Sequence, residues 1–369
     1  MRLIVVVGAR PHVVKISPLL PELKRAGISV QLAFTGSRES VRRQEDADEE
    51  QRAGGIGFYG VKLPQPSWFL DVGTGSYAAT AGRAMVAFED IFVAEHPDAV
   101  MVVGDANASL AAAISAVKSG LPVVHLEAGL RCGDMQTPEE INRVLISRVA
   151  AVHLTPTEGA LENLEDEGIE PERIYFVGST VAQAVLTYIK ELSGFSACGE
   201  LGLAPAGYVL GSFHRAENLA HAPSLRGIMG GLSRSPLPVL IPDSDGLAEE
   251  LAGRDITLPA TVRLIGAVDY RMMLALERDA AAIITDSSGV QVEACMVRVP
   301  CVTVRECSEL IPTLTCGANH LVAPDGVLIG AALDAAITQT RTWAEPKRWD
   351  RAVSDRVARA LRRGITPLS

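Results

Sequence analysis

The sequence has few cysteines, and they are not arranged to build a metal site or a disulfide framework. Six cysteines are scattered over 369 residues, with no Cys-x-x-Cys pair and no Cys/His cluster. In a chain of this length such scattered cysteines are typical of free thiols. We therefore expect reduced cysteines and no metal.

Long apolar runs are also missing. A membrane-spanning helix needs about 18 or more apolar residues in a row, whereas the runs here have the length of strands, as at 3–9. Arg10, Pro11 and His12 interrupt the first run too early for a signal peptide. We expect a cytoplasmic protein that does not bind a membrane.

Basic residues are in the minority. The 34 lysines and arginines stand against 44 aspartates and glutamates, which gives a formal net charge of -10. Proteins that bind nucleic acid or anionic lipid present a basic face, so we expect neither partner. A local basic pocket for a phosphorylated small molecule stays compatible with this charge. The apolar share of 48% is typical of a folded globular chain and excludes intrinsic disorder.

Short apolar runs rich in Val and Ile alternate with helical patterns, which predicts an α/β fold with parallel sheets covered on both faces. The predicted strands of the first half are 3–7, 30–34, 99–103, 122–126, 151–154 and 174–177, and its helical patterns are 13–26, 77–95, 109–119 and 141–150. The second half repeats the alternation, with predicted strands at 208–210, 239–241, 262–265, 281–285 and 301–304.

The length of the chain suits two domains. We predict an N-terminal α/β domain over 1–178, completed by a C-terminal helix within 346–369, and a second α/β domain over 179–345. The expected architecture is two α/β/α domains that face each other across a cleft. An apolar helical face at 77–92 would support a homodimer.

Ligands of open α/β sheets bind beyond the carboxyl ends of the strands, and the first such turn contains two cations. It has the single glycine Gly8, not the Gly-x-Gly-x-x-Gly of nicotinamide-binding proteins, so we expect no such cofactor. Arg10 precedes a proline suited to a first helical turn, and Lys15 follows five residues later. These cations suit a phosphate group near a helix N-terminus. The alternative is that both are ordinary surface residues.

Carboxylates follow the next strands. Asp105 comes after 99–103, Glu127 follows 122–126, and Glu139 opens the helix that contains Arg143. We expect the carboxylates to converge in one crevice, although each could instead be a helix cap or an ion-pair partner.

The second half contains two further candidate sites. His214 stands at the carboxyl end of a predicted strand, where it could be an acid/base group or a phosphate ligand. Ser287, Ser288 and Gly289 open a predicted helix whose amides and dipole would hold a diphosphate. Glu293, one to two turns into that helix, is placed to accept hydrogen bonds from ribose hydroxyls.

Taken in order, these motifs resemble those of the non-hydrolysing UDP-N-acetylglucosamine 2-epimerases, whose fold is that of the two-domain B-type glycosyltransferases. The matching segments, spread over nearly the whole chain, are 8–15, 104–105, 125–131, 138–143, 214–218 and 286–293. The resemblance implies two Rossmann-like domains, of which the second binds the nucleotide.

The chemistry that the resemblance implies is elimination of UDP to a 2-acetamidoglycal, followed by re-addition. The implied catalytic residues are Asp105, Glu127, Glu139 and His214. The implied binding residues are Arg10, Lys15, Arg143, Ser287, Ser288, Gly289 and Glu293. Neither a metal nor a cofactor is implied, and which carboxylate is the base stays open.

Several positions depart from the family pattern. His12 stands where the family has a glutamate, Asp243 where it has a histidine, and Ser288 where it has a glycine. Val292 replaces a second glutamate of the family, and Leu310 replaces an arginine. These changes leave alternatives open: an epimerase of another nucleotide sugar, a hydrolase or glycosyltransferase on the same fold, or a non-catalytic sensor. Ser37 and Arg38 replace residues of the family's activator pocket, so we expect hyperbolic kinetics.

Overall fold

A computed structural model describes residues 1–36, 60–61, 63–73, 75–243 and 246–365, with the main chain but not the side chain of Arg10. The chain divides into two compact units. The first contains Met1–Ala184 and Lys347–Ser369, and the second contains Val185–Pro346. The division falls inside a helix, at Ala184 rather than after residue 178.

Within the described residues each unit is built on a parallel sheet. The sheet of the first unit has the order β3-β2-β1-β4-β5-β6-β7, and that of the second has the order β10-β9-β8-β11-β12-β13. The strands are β1 Arg2–Val7, β2 Ser29–Phe34, β3 Trp68–Phe69, β4 Ala99–Val103, β5 Val123–Leu126, β6 Val152–Thr155, β7 Ile174–Phe176, β8 Val209–Ser212, β9 Val239–Asp243, β10 Val262–Gly266, β11 Ala282–Thr285, β12 Cys301–Val304 and β13 Asn319–Val322. This confirms the predicted α/β class with its parallel sheets.

Helices follow most of the strands. They are α1 Arg10–Ile16, α2 Leu20–Arg25, α3 Tyr77–Glu95, α4 Asn107–Lys118, α5 Pro138–Val149, α6 Glu158–Asp166, α7 Thr180–Glu191, α8 Ala197–Glu200, α9 Ala216–Leu219, α10 Ala222–Leu232, α11 Leu247–Gly253, α12 Tyr270–Asp279, α13 Ser288–Val297, α14 Ile311–Thr315, α15 Gly326–Thr338 and α16 Val353–Gly364. None of the described helices combines the length and apolar composition that a bilayer span requires.

The predicted single helix over 13–26 is wrong, because the chain forms α1 and α2 with a break between them. Pro18 has no N–H to donate to the carbonyl of Val14, and the Ser17 hydroxyl donates to that oxygen instead, at 3.0 Å.

The central strands of the first unit are buried on both faces, since every residue of β4 and all but the first residue of β1 are buried. This burial explains why the sequences of these strands are continuous apolar runs. On one face, Phe88 and Phe92 of α3 stack at 5.7 Å and pack with the strands. The opposite side of α3 leaves Val86 and Val93 exposed at 62% and 58%, and Tyr77 in the first turn is also exposed, at 62%. The homodimer stays a prediction.

The C-terminal segment packs on the first unit. The Trp349 indole donates to the carbonyl of Pro156 at 3.1 Å. Gln183 of α7 accepts from the Ser354 N–H at 2.8 Å and donates to the Ser354 hydroxyl at 2.9 Å. The helix α16 is thereby fixed against the sheet.

Candidate active site

In the first unit, a lysine and a carboxylate form a close ion pair where β1 and β5 end. Lys15 of α1 and Glu127, directly after β5, lie 2.6 Å apart between Nζ and Oε2, and both side chains are mostly buried. Burial alone would lower the pKa of Lys15, but the charges of Glu127 and Asp105 outweigh it and raise that pKa. Lys15 therefore stays a cation at neutral pH and remains paired with the Glu127 carboxylate.

Unusual backbone geometry aims the Glu127 carboxylate. Glu127 has φ +65°, a left-handed conformation that costs a non-glycine residue about 1–3 kcal/mol. Gly104, at φ +57°, closes the neighbouring turn, and a Cβ there would lie 3.4 Å from Glu127 Oε2. His125 Nε2 donates to the Gly104 carbonyl at 2.9 Å, and burial lowers the pKa of His125 to about 3. The neutral imidazole thus ties β5 to this turn.

A second cation–carboxylate cluster centres on Arg143 of α5, whose exposure is 4%. It forms ion pairs with Asp105 and, at 2.8 Å, with Glu140. Glu140 also accepts the N–H groups of Gly133 at 2.9 Å and Cys132 at 3.2 Å. Burial would raise the pKa of Glu140, but the hydrogen bonds from Arg143 and these amides lower it. Glu140 is thus an ionised structural anchor for Arg143.

Glu140 was not among the predicted site residues; its neighbour Glu139 was. Glu139 lies in the first turn of α5, half-buried, and forms no ion pair with the residues that the structure describes. It remains free to act on a ligand, and its catalytic role stays a prediction. The spacing of three residues between Glu140 and Arg143 permits this pair, but the spacing of four between Glu139 and Arg143 permits the other equally well.

Two more side chains of the first unit shape this cluster. Asn142 donates to the Asp105 carbonyl at 2.7 Å and so fixes the turn after β4. His12 is 3% exposed, and its Nδ1 accepts the Gly8 N–H at 3.2 Å. Burial, and after it the charge of Lys15, lowers the pKa of His12 to about 3. A neutral ring thus occupies the position of the family's glutamate.

In the second unit, a fully buried carboxylate holds the turn that carries His214. Asp286, directly after β11, is 0% exposed. It accepts the N–H groups of His214 at 3.0 Å and Arg215 at 3.2 Å, and the Asn218 amide at 3.0 Å. His214 Nδ1 lies 3.4 Å from the same carboxylate, and the ring is 39% exposed. The imidazole is therefore anchored on one side and accessible on the other.

The predicted diphosphate cradle stands at the start of α13. The Ser287 hydroxyl caps this helix by accepting the Val290 N–H at 3.4 Å. The first turn of a helix leaves N–H groups without intrahelical partners, and here Ser288 and Gly289 supply them. Arg215 Nη2 donates to the Ser288 hydroxyl at 3.2 Å. An anion at this N-terminus would therefore meet amides, a helix dipole and a guanidinium.

Glu309 lies beneath the cradle and did not emerge from the sequence. Its side chain is 1% exposed, pairs with Arg305 at 2.7 Å and lies 3.7 Å from Arg215. It also forms a hydrogen bond with the Ser288 hydroxyl. The next residue, Leu310, is 4% exposed. The position where the family has an arginine is therefore an apolar, packed position in this chain.

Glu293, the predicted ribose ligand, lies on α13 with 7% exposure. Burial, followed by the charge of Glu293, raises the pKa values of Tyr270 and Glu277 well above their ordinary values. Tyr270 and Glu277 are therefore neutral at their positions beside Glu293. Its contact with ribose stays a prediction.

The remaining predicted positions fall outside these clusters. The Asp243 carboxylate accepts the N–H groups of Leu247 at 2.8 Å and Ala248 at 3.0 Å, and so caps α11. The side chain of Arg10, and all of Ser37 and Arg38, lie outside the described residues. The described residues contain no group of His, Cys, Asp and Glu that could hold a metal ion.

Comparison with known proteins places the chain in a family. A family model described as UDP-N-acetylglucosamine 2-epimerase matches residues 22–362. A relative of that name from Methanocaldococcus jannaschii is 33% identical over 357 residues, 94% of this chain and 95% of the relative. The UDP-2,3-diacetamido-2,3-dideoxy-D-glucuronate 2-epimerase of Pseudomonas aeruginosa is 33% identical over 352 residues, 93% of this chain and 92% of the relative.

The same similarity is found among solved structures. The crystal structure of the Methanocaldococcus jannaschii enzyme in complex with UDP-GlcNAc and UDP matches with a TM-score of 0.88 at 31% identity. The match covers 98% of this chain and 99% of that chain. Together with the family match, this shows that the chain belongs to the UDP-N-acetylglucosamine 2-epimerase family, as its motifs predicted.

Proposed function

We propose that this protein is a nucleotide-sugar 2-epimerase that interconverts UDP-N-acetylglucosamine and UDP-N-acetylmannosamine. One observation carries the proposal beyond family membership. The carboxylates Glu127 and Asp105 are each held in an ion pair, with Lys15 and Arg143 respectively, at the ends of neighbouring strands. A protein that only bound a sugar nucleotide would have no need for two carboxylates held by cations in this way.

The reaction we propose is an elimination followed by re-addition. A carboxylate takes the proton from C2, the electron pair of that C–H bond forms the C1=C2 double bond, and the C1–O bond breaks to release UDP. Return of a proton to the opposite face of C2, with attack of a UDP oxygen on C1, gives the epimer. The residues proposed for these proton transfers are Asp105, Glu127 and Glu139.

The second unit supplies the groups proposed to hold the departing UDP. The amides of Ser288 and Gly289 and the side chain of His214 would stabilise the diphosphate as its negative charge grows. Glu293 would accept hydrogen bonds from the ribose hydroxyls. The experiment that tests the reaction is incubation with UDP-N-acetylglucosamine in deuterated water, because an epimerase exchanges the hydrogen at C2 and keeps the nucleotide attached.

A different sugar on the same nucleotide is the second candidate, and Leu310 is the observation that favours it. The family's arginine at this position is replaced by a leucine with 4% exposure, so one cationic contact to the substrate is lost. The Pseudomonas aeruginosa relative is named for a sugar with an acetamido group on C2, to which the same elimination chemistry applies.

Restoring the arginine tests this second candidate. We expect Leu310→Arg to lower the activity on the native substrate about tenfold or more, because an unpaired guanidinium in an apolar site carries a desolvation cost of several kcal/mol. Leu310→Met, which keeps the volume and the apolar character, serves as the control and should retain activity. A rise in activity on UDP-N-acetylglucosamine in Leu310→Arg would show instead that the arginine contact had merely been lost.

A further inference from the structure

A cavity of about 360 Å³ lies in the first unit beside β7, and it shares no residue with the clusters described above. One wall is formed by residues 174–177, at the edge strand of the described sheet. The other wall is formed by Arg348 and one face of α16. A volume of a few hundred Å³ is in the range of small-molecule pockets.

Four arginines line this cavity, namely Arg348, Arg356, Arg359 and Arg363. The last three follow one another at spacings of three and four residues on α16, which places them on the same face of the helix. None of the described residues that line the cavity is acidic. In a chain with a net charge of -10, this is a concentrated positive field.

Two of the arginines build the wall. The Arg348 guanidinium lies 4.6 Å from the centre of the Phe176 ring and donates to the carbonyl of that residue. Arg356 Nε donates to the Val177 carbonyl at 2.6 Å, and its Nη2 pairs with Asp350 at 2.7 Å. These bonds cap carbonyl groups at the end of β7 and hold the C-terminal segment in place.

The other two arginines do not hold the carbonyl groups at the end of β7. Arg359 and Arg363 are exposed and form no ion pair within the part of the chain that the structure describes. Guanidinium groups that are one turn apart repel each other, and a shared anion removes that repulsion. Their forked donors match the oxygens of a phosphate group in a bidentate manner.

We propose that this cavity is a second anion site, which binds a phosphorylated small molecule through its diphosphate group. Arg359 and Arg363 make the new contacts, while Arg348 and Arg356 provide the fixed positive wall. The apolar residues Ile174 and Val177 also line the cavity. The site is independent of the chemistry proposed for the carboxylates.

Calorimetry on the full chain tests the proposal. The protein is first saturated with UDP, which fills the proposed nucleotide site, and is then titrated with inorganic pyrophosphate. We expect one further equivalent to bind, with an affinity that falls as salt is added. In the double variant Arg359→Gln/Arg363→Gln the affinity should fall about a hundredfold, from the loss of two charge-assisted contacts of about tenfold each.

The control is Arg351→Gln, which removes an exposed arginine that does not line the cavity and should bind pyrophosphate like the parent protein. Binding of a second equivalent of UDP that the double variant loses would show that the site takes a nucleotide, whereas binding of pyrophosphate alone would show that it takes the free diphosphate. Absence of both pyrophosphate binding and a second bound equivalent of UDP in the parent protein, or equal affinity in the double variant, would overturn the proposal. Neither result bears on the epimerase reaction.

Discussion

Replacement of Glu127 by glutamine should lower the turnover of UDP-N-acetylglucosamine about a hundredfold or more, with little change in UDP affinity. Glutamine keeps the size of the side chain but has no negative charge with which to accept a proton, and a positioned acid or base typically contributes a factor of 10²–10⁴. Steady-state rates, with UDP binding measured by calorimetry, separate the two effects. Glu162→Gln, at an exposed position on α6, is the matched control and should leave both unchanged.

Variants of the adjacent residues Glu139 and Glu140 distinguish a catalytic role from a structural one. If Glu139 acts on the substrate, Glu139→Gln should reduce turnover to a similar degree without affecting the melting temperature. Glu140→Gln breaks the buried ion pair with Arg143, so its main effect should be a loss of stability of about 3–5 kcal/mol. Near-normal turnover in Glu127→Gln, Glu139→Gln and Asp105→Asn together would show that the catalytic assignment is wrong.

Replacement of Asp286 by alanine should have the largest effect on the second unit. It leaves the N–H groups of His214 and Arg215 without their acceptor, and the Asn218 amide keeps only its bond to the Val304 carbonyl. At about 1–3 kcal/mol for each unsatisfied buried donor, and with some relaxation, we expect a loss of about 3–5 kcal/mol in the free energy of unfolding. UDP affinity should fall at least tenfold, because the loop of His214 is released.

Urea unfolding and UDP calorimetry measure the two consequences of Asp286→Ala. Asp334→Ala, an exposed position on α15, is the control and should change stability by less than about 0.5 kcal/mol. Should Asp286→Ala bind UDP as tightly as the parent protein, the loop after β8 would have no part in holding the nucleotide.

Much of the fold could be predicted because the sequence pattern that indicates a strand or helix lies within that strand or helix. The strands Ala99–Val103 and Cys301–Val304 have the predicted bounds, since a strand buried on both faces is a continuous apolar run between turns. The helix Tyr77–Glu95 also has its predicted bounds. The two-residue strand Trp68–Phe69 was missed because its pairing with β2, not its own composition, makes it a strand.

The motifs predicted which residues belong to the candidate site, but they did not predict which of these side chains contact one another. The positions of Asp105 and Glu127 at strand ends made them candidates, but the sequence does not show that Lys15, 112 residues before Glu127, is the partner of Glu127. The spacing on α5 allows either Glu139 or Glu140 to face Arg143, and only the orientation of the helix selects Glu140. The contact between Ser288 and Glu309 likewise depends on how separate turns of the second unit pack.

The most direct test of the central claim is incubation of the protein with UDP-N-acetylglucosamine in deuterated water, followed by proton NMR of the recovered nucleotide sugar. If the carboxylates of the first unit remove and return the proton at C2, that position loses its proton signal in both epimers while UDP stays attached at C1. Release of free UDP without deuterium at C2, or recovery of unchanged substrate together with normal UDP binding, would contradict the account.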